Sequence, residues 1–182
     1  MKKYELTGEV KVKFGVTFKR IRALIDFGNV KKGELGGFIE KEENLSHENN
    51  AWVYDDAEVS GNARVYDDAE VYGDAWVYDD AEVSGNAKVY GDAWVSGNAW
   101  VSGNAEVSGN ADYVLIGRVG SRFGFTTFFR NKNNEIYVSC GCFLGTLAKF
   151  RKKVKETHGT DTKYAKVYQA AADLAEMQIL NK

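Results

Sequence analysis

Residues 51–112 read AWVYDD AEVSGN ARVYDD AEVYGD AWVYDD AEVSGN AKVYGD AWVSGN AWVSGN AEVSGN AD. Valine returns every six residues without a gap, at Val53, Val59, Val65, Val71, Val77, Val83, Val89, Val95, Val101 and Val107. An alanine stands two places before each valine, from Ala51 to Ala105, and Ala111 closes the series. In extended backbone, residues two apart share a face, so each Ala-x-Val turns a small and a medium side chain inward. The pair that follows is GN, GD or DD, residue types that tolerate left-handed backbone in tight corners. A short strand and a corner every six residues describe one side of a triangular coil, three hexads to the turn. A helix fails on period, and a Gly-Asn inside each repeat would break it. A meander of hairpins would leave few cross-strand pairs on strands this short. The spacing therefore predicts a parallel β-helix over 51–112.

The same regularity resembles the bacterial hexapeptide-repeat proteins. That resemblance implies a left-handed β-helix and assembly as a homotrimer. In such a coil every third hexad shares a face, so residues 18 apart become neighbours at ~4.8 Å. Tyr54, Tyr72 and Tyr90 then form a ladder on one face, and Trp76 and Trp94 stack on a second. Trp100 falls on the third beside Arg64 and Glu82. These aromatics serve strand propensity and cross-strand packing, or an oligomer or partner interface where such residues are enriched. A stack of little more than three coils needs caps and neighbours, so an oligomer is expected.

Two modules flank the repeat. Residues 1–50 read as an N-terminal β cap, with two strands around Gly15 and with Phe18, Ile21, Leu24 and Phe27 available for burial. Phe38-Ile39 and Leu45 look like an irregular first coil, two residues out of phase with Val53. The stretch DFGNVKKGELGGFIEKEENLSHENNAWV (26–53) resembles the leader of uncharacterised hexapeptide-repeat proteins of bacteria and their phages. Residues 113–182 abandon the hexads. TTFFR, NKNN and EIYVSCG predict a hairpin turning at Asn133-Asn134. Thr146 can cap a helix that stops at Gly159, and Asp161 can cap a second one. The second helix carries Tyr164, Val167, Tyr168, Ala171, Leu174, Ala175 and Gln178 along one stripe. Through TTFFR, VSCGCFLGTL and ETHG this α+β module, a hairpin plus two helices, resembles the tail of phage-encoded hexapeptide-repeat proteins.

The formal net charge of −2 averages unlike regions. Residues 1–50 hold 10 basic and 8 acidic side chains, residues 51–112 hold 2 and 13, and residues 113–182 hold 12 and 5. An acidic shaft thus joins a basic end. The acids either solvate an exposed rod or mimic nucleic acid for a basic host site. In the tail, GRVGSRFGFTTFF (117–129) couples arginines, glycines and hydroxyls, types that bind phosphate through a guanidinium fork and backbone N–H groups. Arg118, Ser121, Arg122, Thr126, Thr127, Arg130 and His158 are the candidate ligand-binding residues for an anionic molecule such as a nucleotide. The GxxxxGK[ST] pattern is absent, so no P-loop is inferred.

Catalysis finds little support in the residues. The resemblance to hexapeptide acyltransferases implies a histidine general base near an acyl-CoA groove, but the ten hexads contain no histidine and no insertion. His47, with Glu48 as orienter, is the one candidate for that role. Cys140, Cys142 and His158 offer three metal ligands, with zinc the first choice, but buried reduced thiols account for the pair more simply. No cofactor is implied. No apolar run reaches the ~18 residues of a membrane span, and no export signal follows Met1, so the cytoplasm is the expected compartment. The expectation is a non-catalytic, phage-type oligomeric binding protein that sequesters a host protein or an anionic nucleotide, in the manner of counter-defence proteins. An acyltransferase and a purely structural assembly protein are the alternatives.

Overall fold

A computed structural model describes residues 1–180. The hexads form ten two-residue strands among those residues: β4 (Trp52–Val53), β5 (Glu58–Val59), β6 (Arg64–Val65), β7 (Glu70–Val71), β8 (Trp76–Val77), β9 (Glu82–Val83), β10 (Lys88–Val89), β11 (Trp94–Val95), β12 (Trp100–Val101) and β13 (Glu106–Val107). They pair in parallel with the strand 18 residues on, so Val59, Val77 and Val95 stack on one face. Val65, Val83 and Val101 stack on the second face. Val53, Val71, Val89 and Val107 stack on the third. Each of these valines is at most 1% exposed, as is each alanine two places earlier, so one column of small side chains fills the coil. The corners explain the residue choice. Gly61, Gly73, Gly85, Gly91, Gly97 and Gly103 have positive φ, and at DD corners Asp55, Asp67 and Asp79 take that conformation instead. Each of those three carboxylates then accepts the N–H of the glycine one coil on, at 3.2 Å. Corner side chains therefore tie coil to coil, in addition to the backbone ladders.

The entry end is closed by β1 (Tyr4–Lys13), β2 (Val16–Ala23) and β3 (Leu35–Ile39). β1 and β2 form an antiparallel hairpin turning at Phe14-Gly15, both with positive φ. β3 pairs antiparallel with β2 and parallel with β5, which joins the hairpin to the shaft in one six-stranded sheet. The irregular first coil runs through Ile39 and Leu45, which pair with Val59 and Val65, 20 residues on rather than 18. Gly37 is required there, since a Cβ would lie 2.6 Å from the Ala57 carbonyl and 2.8 Å from that of Tyr54. The hairpin also folds over the outer surface of the first face. Phe18, Phe38 and Trp76 form a buried cluster, while Lys11 and Lys13 reach the buried Glu58 carboxylate at 2.5 and 2.7 Å. Lys3 closes the coil end, its ammonium donating to the carbonyls of Ala51, Asn49 and Glu48.

At the other end, β14 (Tyr113–Val119), β15 (Gly124–Arg130), β16 (Ile136–Cys140) and β17 (Phe143–Thr146) make an antiparallel sheet in sequence order. Helices α1 (Leu147–His158) and α2 (Lys163–Leu180) follow. Side chains alternate across this sheet with period two. Phe129, Tyr113, Leu115 and Tyr137 face the shaft core, whereas Phe128, Val138, Val114 and Ile116 face the helices. The module thus exceeds the hairpin read from sequence by two strands, β14 and β17. Thr146 caps α1 and Gly159, at φ 74°, ends it, as its residues predict. The cap of α2 is Thr162 rather than Asp161, since its hydroxyl oxygen accepts from Ala165 N–H at 3.2 Å. The buried stripe of α2 is Ala165, Tyr168, Ala171, Ala172, Ala175 and Ile179. Tyr164, Leu174 and Gln178 are exposed. Alanines let α2 approach the sheet closely, so the buried face keeps Tyr168, Ala171 and Ala175 of the expected stripe and turns toward Ala165, Ala172 and Ile179. No helix among the described residues is long and apolar enough to cross a membrane.

Candidate functional site

A pocket of about 320 Å3 opens in the tail between the β14–β15 turn, the β16–β17 turn and the last two turns of α1. Tyr168 of α2 is 9% exposed, packs edge-on to Phe150 at 5.7 Å and stacks on His158 at 5.7 Å. Gly120, at φ 74°, passes directly over the Tyr168 hydroxyl, where a Cβ would lie only 1.9 Å away. That hydroxyl lies beside Cys140, whose Sγ is also contacted by Thr126 Oγ1 at 3.2 Å. Burial pushes the Tyr168 phenol up, Cys140 adds to the shift and Arg122 opposes it, so the phenol stays protonated at neutral pH.

The walls are apolar, with Phe125 on one side, Phe143 and Phe150 on the other and Val154 at the rim. The polar groups at the mouth are Ser121, Arg122, Lys153, Thr157 and His158. No carboxylate lines the pocket, and among the described residues neither Arg122 nor Lys153 forms an ion pair. A flat apolar body therefore has aromatic walls to rest on, and a negative group has two exposed cations at the mouth with a hydroxyl beside them. The arrangement suits retention of a ligand.

Of the candidates read from sequence, the pocket gathers Ser121, Arg122 and His158 together with Cys140 and Cys142. The others go elsewhere. Arg118 is exposed at an irregularity of β14, with φ 53°, and does not line the pocket. Thr126 is buried beneath Cys140. Thr127 caps the shaft, its hydroxyl oxygen accepting the Trp100 N–H at 2.9 Å in place of a further coil. Arg130 is a structural clamp whose Nε bonds the buried Asp112 carboxylate at 2.8 Å and whose other nitrogens reach Asn134 and the Ile179 carbonyl. Thr126, Thr127 and Arg130 lie on β15, between shaft and helices, where the Cys140 thiol, the Trp100 N–H and the Asp112 carboxylate engage their polar groups. Lys153 and the phenylalanine walls were missed as site residues. The signal for Lys153 was present in KFRKKVK, where it stands beside core positions Phe150 and Val154.

His47 is a cap residue. Its Nδ1 accepts the Lys3 N–H at 3.2 Å, and its ring stacks on Tyr4 at 4.3 Å. Burial lowers its pKa, with Glu42 opposing. Glu48 is exposed and gives its carbonyl to Lys3, so it does not orient the imidazole. Cys140, Cys142 and His158 line one pocket, but among the described residues no three His, Cys, Asp or Glu side chains are grouped to hold a metal ion.

On the shaft, Tyr72 and Tyr90 stack at 4.9 Å and 4°. Tyr54 continues that column as a half-buried residue whose phenol burial pushes up to about 12. Trp76 and Trp94 meet edge-to-face at 77° rather than stacked. Trp76 is only 7% exposed, covered by Phe14 and Lys13 of its own chain, so it offers no surface to a second one. Trp94 and Trp100 are 42% and 41% exposed.

A sequence-family profile described as YdcK Beta solenoid repeat matches residues 63–79 and 87–103, both inside the shaft. No curated protein matches the chain. The matched stretches cover coils and corners and leave the tail pocket outside, so the likeness concerns architecture. Profile and coordinates agree on a repeat β-solenoid, here carrying a β-hairpin cap at one end and an α+β module at the other.

Proposed function

We propose that this chain is a non-catalytic binding protein whose tail pocket retains an anionic ligand with a flat apolar body, a nucleoside phosphate being the class that fits. The observation carrying this reading is the pairing of Arg122 and Lys153 over aromatic walls with no carboxylate in the lining. Its volume lies at the lower end of the ~300–1,000 Å3 typical of small-molecule sites. The shaft sets spacing and valence. Its exposed Trp100 and its tyrosine column support assembly into an oligomer, a trimer by resemblance to hexapeptide-repeat proteins. In a phage-type protein acting in the host cytoplasm, retention of a nucleotide signal would serve counter-defence.

The test is equilibrium dialysis of the purified protein against nucleoside monophosphates and the matching unphosphorylated nucleosides. The phosphorylated forms should bind more tightly, and binding should weaken with added salt because the cations lie near solvent. Equal binding of both forms, or none by the phosphates, overturns the reading.

A further inference from the structure

A second cavity, of about 450 Å3, lies where the first face of the shaft meets the tail, and it shares no lining residue with the anion pocket. Three aromatic side chains line it, Tyr78, Trp94 and Tyr113, together with the Asp79 carboxylate. Its position follows from how the shaft ends. Along this face each strand N–H donates to the next coil, as Glu58 does to Ala75 and Trp76 to Ala93, both at 2.9 Å. At Trp94 the coil has run out. Its N–H instead donates to Asn110 Oδ1 at 2.8 Å, and its carbonyl accepts from the Tyr113 hydroxyl at 2.8 Å. The backbone of Trp94 is thereby pinned from both sides while its indole remains open to solvent. Tyr78 is held from below, packed against Trp76 at 4.5 Å. The rings are braced before any ligand arrives.

The charges point to a cation. Asp79 gives one oxygen to the Gly97 N–H, and among the described residues no ion pair engages its carboxylate. Neither Lys nor Arg lines the cavity. The surrounding shaft, with 13 acidic and 2 basic side chains, draws cations toward it. A bare metal ion would need several oxygen ligands, which one carboxylate among aromatic rings does not supply. A methylated ammonium needs ring faces and little else, because its charge is diffuse and weakly hydrated.

We propose that this groove binds a trimethylammonium group, from choline-type molecules or from a trimethylated lysine of a peptide. Titration calorimetry with choline, with its neutral carbon isostere 3,3-dimethylbutan-1-ol, and with a short trimethyl-lysine peptide beside its unmethylated form tests this. Choline or the methylated peptide should bind, and the tighter of the two identifies the source. Trp94→Leu keeps an apolar side chain but removes the ring, and should weaken binding about threefold to thirtyfold. Asp79→Asn keeps an acceptor for Gly97 and should weaken it to a lesser degree, while Arg122→Ala should leave it unchanged. Thermal unfolding of each variant, matching the parent, shows that the fold is retained. Equal binding of choline and its neutral isostere, no binding by either trimethylammonium form, or full binding by a folded Trp94→Leu overturns the proposal.

Discussion

Replacing Thr127 by valine removes one oxygen from the place where the tail meets the shaft. Within the second face the strand N–H groups of Arg64 and Glu82 donate to Ala81 and Ala99 at 2.9 and 2.8 Å. Trp100 has no coil above it, and Thr127 Oγ1 takes the role at 2.9 Å. Thr127 is 1% exposed, so water has no route to replace the hydroxyl. Valine has the same shape and strand preference, which leaves the orphaned N–H as the main change. An unsatisfied buried donor costs about 1–3 kcal/mol. With a urea dependence of about 2 kcal/mol/M, the unfolding midpoint should fall by about 0.5–1.5 M at unchanged slope. Hydrogen exchange at the Trp100 amide should accelerate in the same variant. Thr126→Val is the control: that side chain is equally buried, but its hydroxyl meets only a thiol. A midpoint for Thr127→Val no lower than that of Thr126→Val would refute the claim that β15 caps the shaft.

Gly120→Ala combines a positive φ with a Cβ placed 1.9 Å from the Tyr168 hydroxyl. It should cost about 2 kcal/mol or more, and loss of near-ultraviolet ellipticity in the tail at lower temperature would register it. Lys3 should titrate at about 8, because burial outweighs the attraction of Asp68. The folded chain then holds fewer protons at this site than the unfolded chain between pH 8 and 10.5, so Lys3 makes stability rise with pH in that window. Lys3→Met should remove that part of the slope, and identical pH profiles of the two proteins would contradict it. Cys142, exposed at the rim, should react with iodoacetamide before the half-buried Cys140, and a nucleotide in the tail pocket should slow it. Mass spectrometry of the labelled peptide reads both effects.

The shaft was legible because its constraint is local. A side-chain period of two, a corner every six residues and Gly, Asn or Asp at positive φ translate directly into Val53 over Val71 and Val59 over Val77. The irregular first coil was legible for the same reason, in Ile39 and Leu45. Contacts between distant segments were not. Nothing beside Trp76 in sequence reveals that Phe14 lies on it, and nothing beside Arg130 reveals the Ile179 carbonyl it holds. β17 spans only Phe143–Thr146 and carries a glycine, so its pairing with β16, rather than its composition, makes it a strand. The stripe of α2 was legible in part: Tyr168, Ala171 and Ala175 are buried, but close approach to the sheet selects Ala165 and Ala172 over the bulkier Tyr164 and Leu174. At the site, the basic and thiol residues were recognisable by type. Only the fold separates Arg122, which faces the pocket, from Arg130, which is spent on the Asp112 clamp.

The central claim is that Arg122 and Lys153 make the tail pocket an anion site. Calorimetric titration of a bound nucleoside monophosphate into the parent, Arg122→Ala and Lys153→Ala proteins tests it most directly. A charge-assisted contact at a solvent-facing rim is worth about 1–2 kcal/mol, so each variant should bind about 5- to 30-fold more weakly, with a shallower salt dependence. Undiminished affinity in both variants, with the fold retained, would contradict the account.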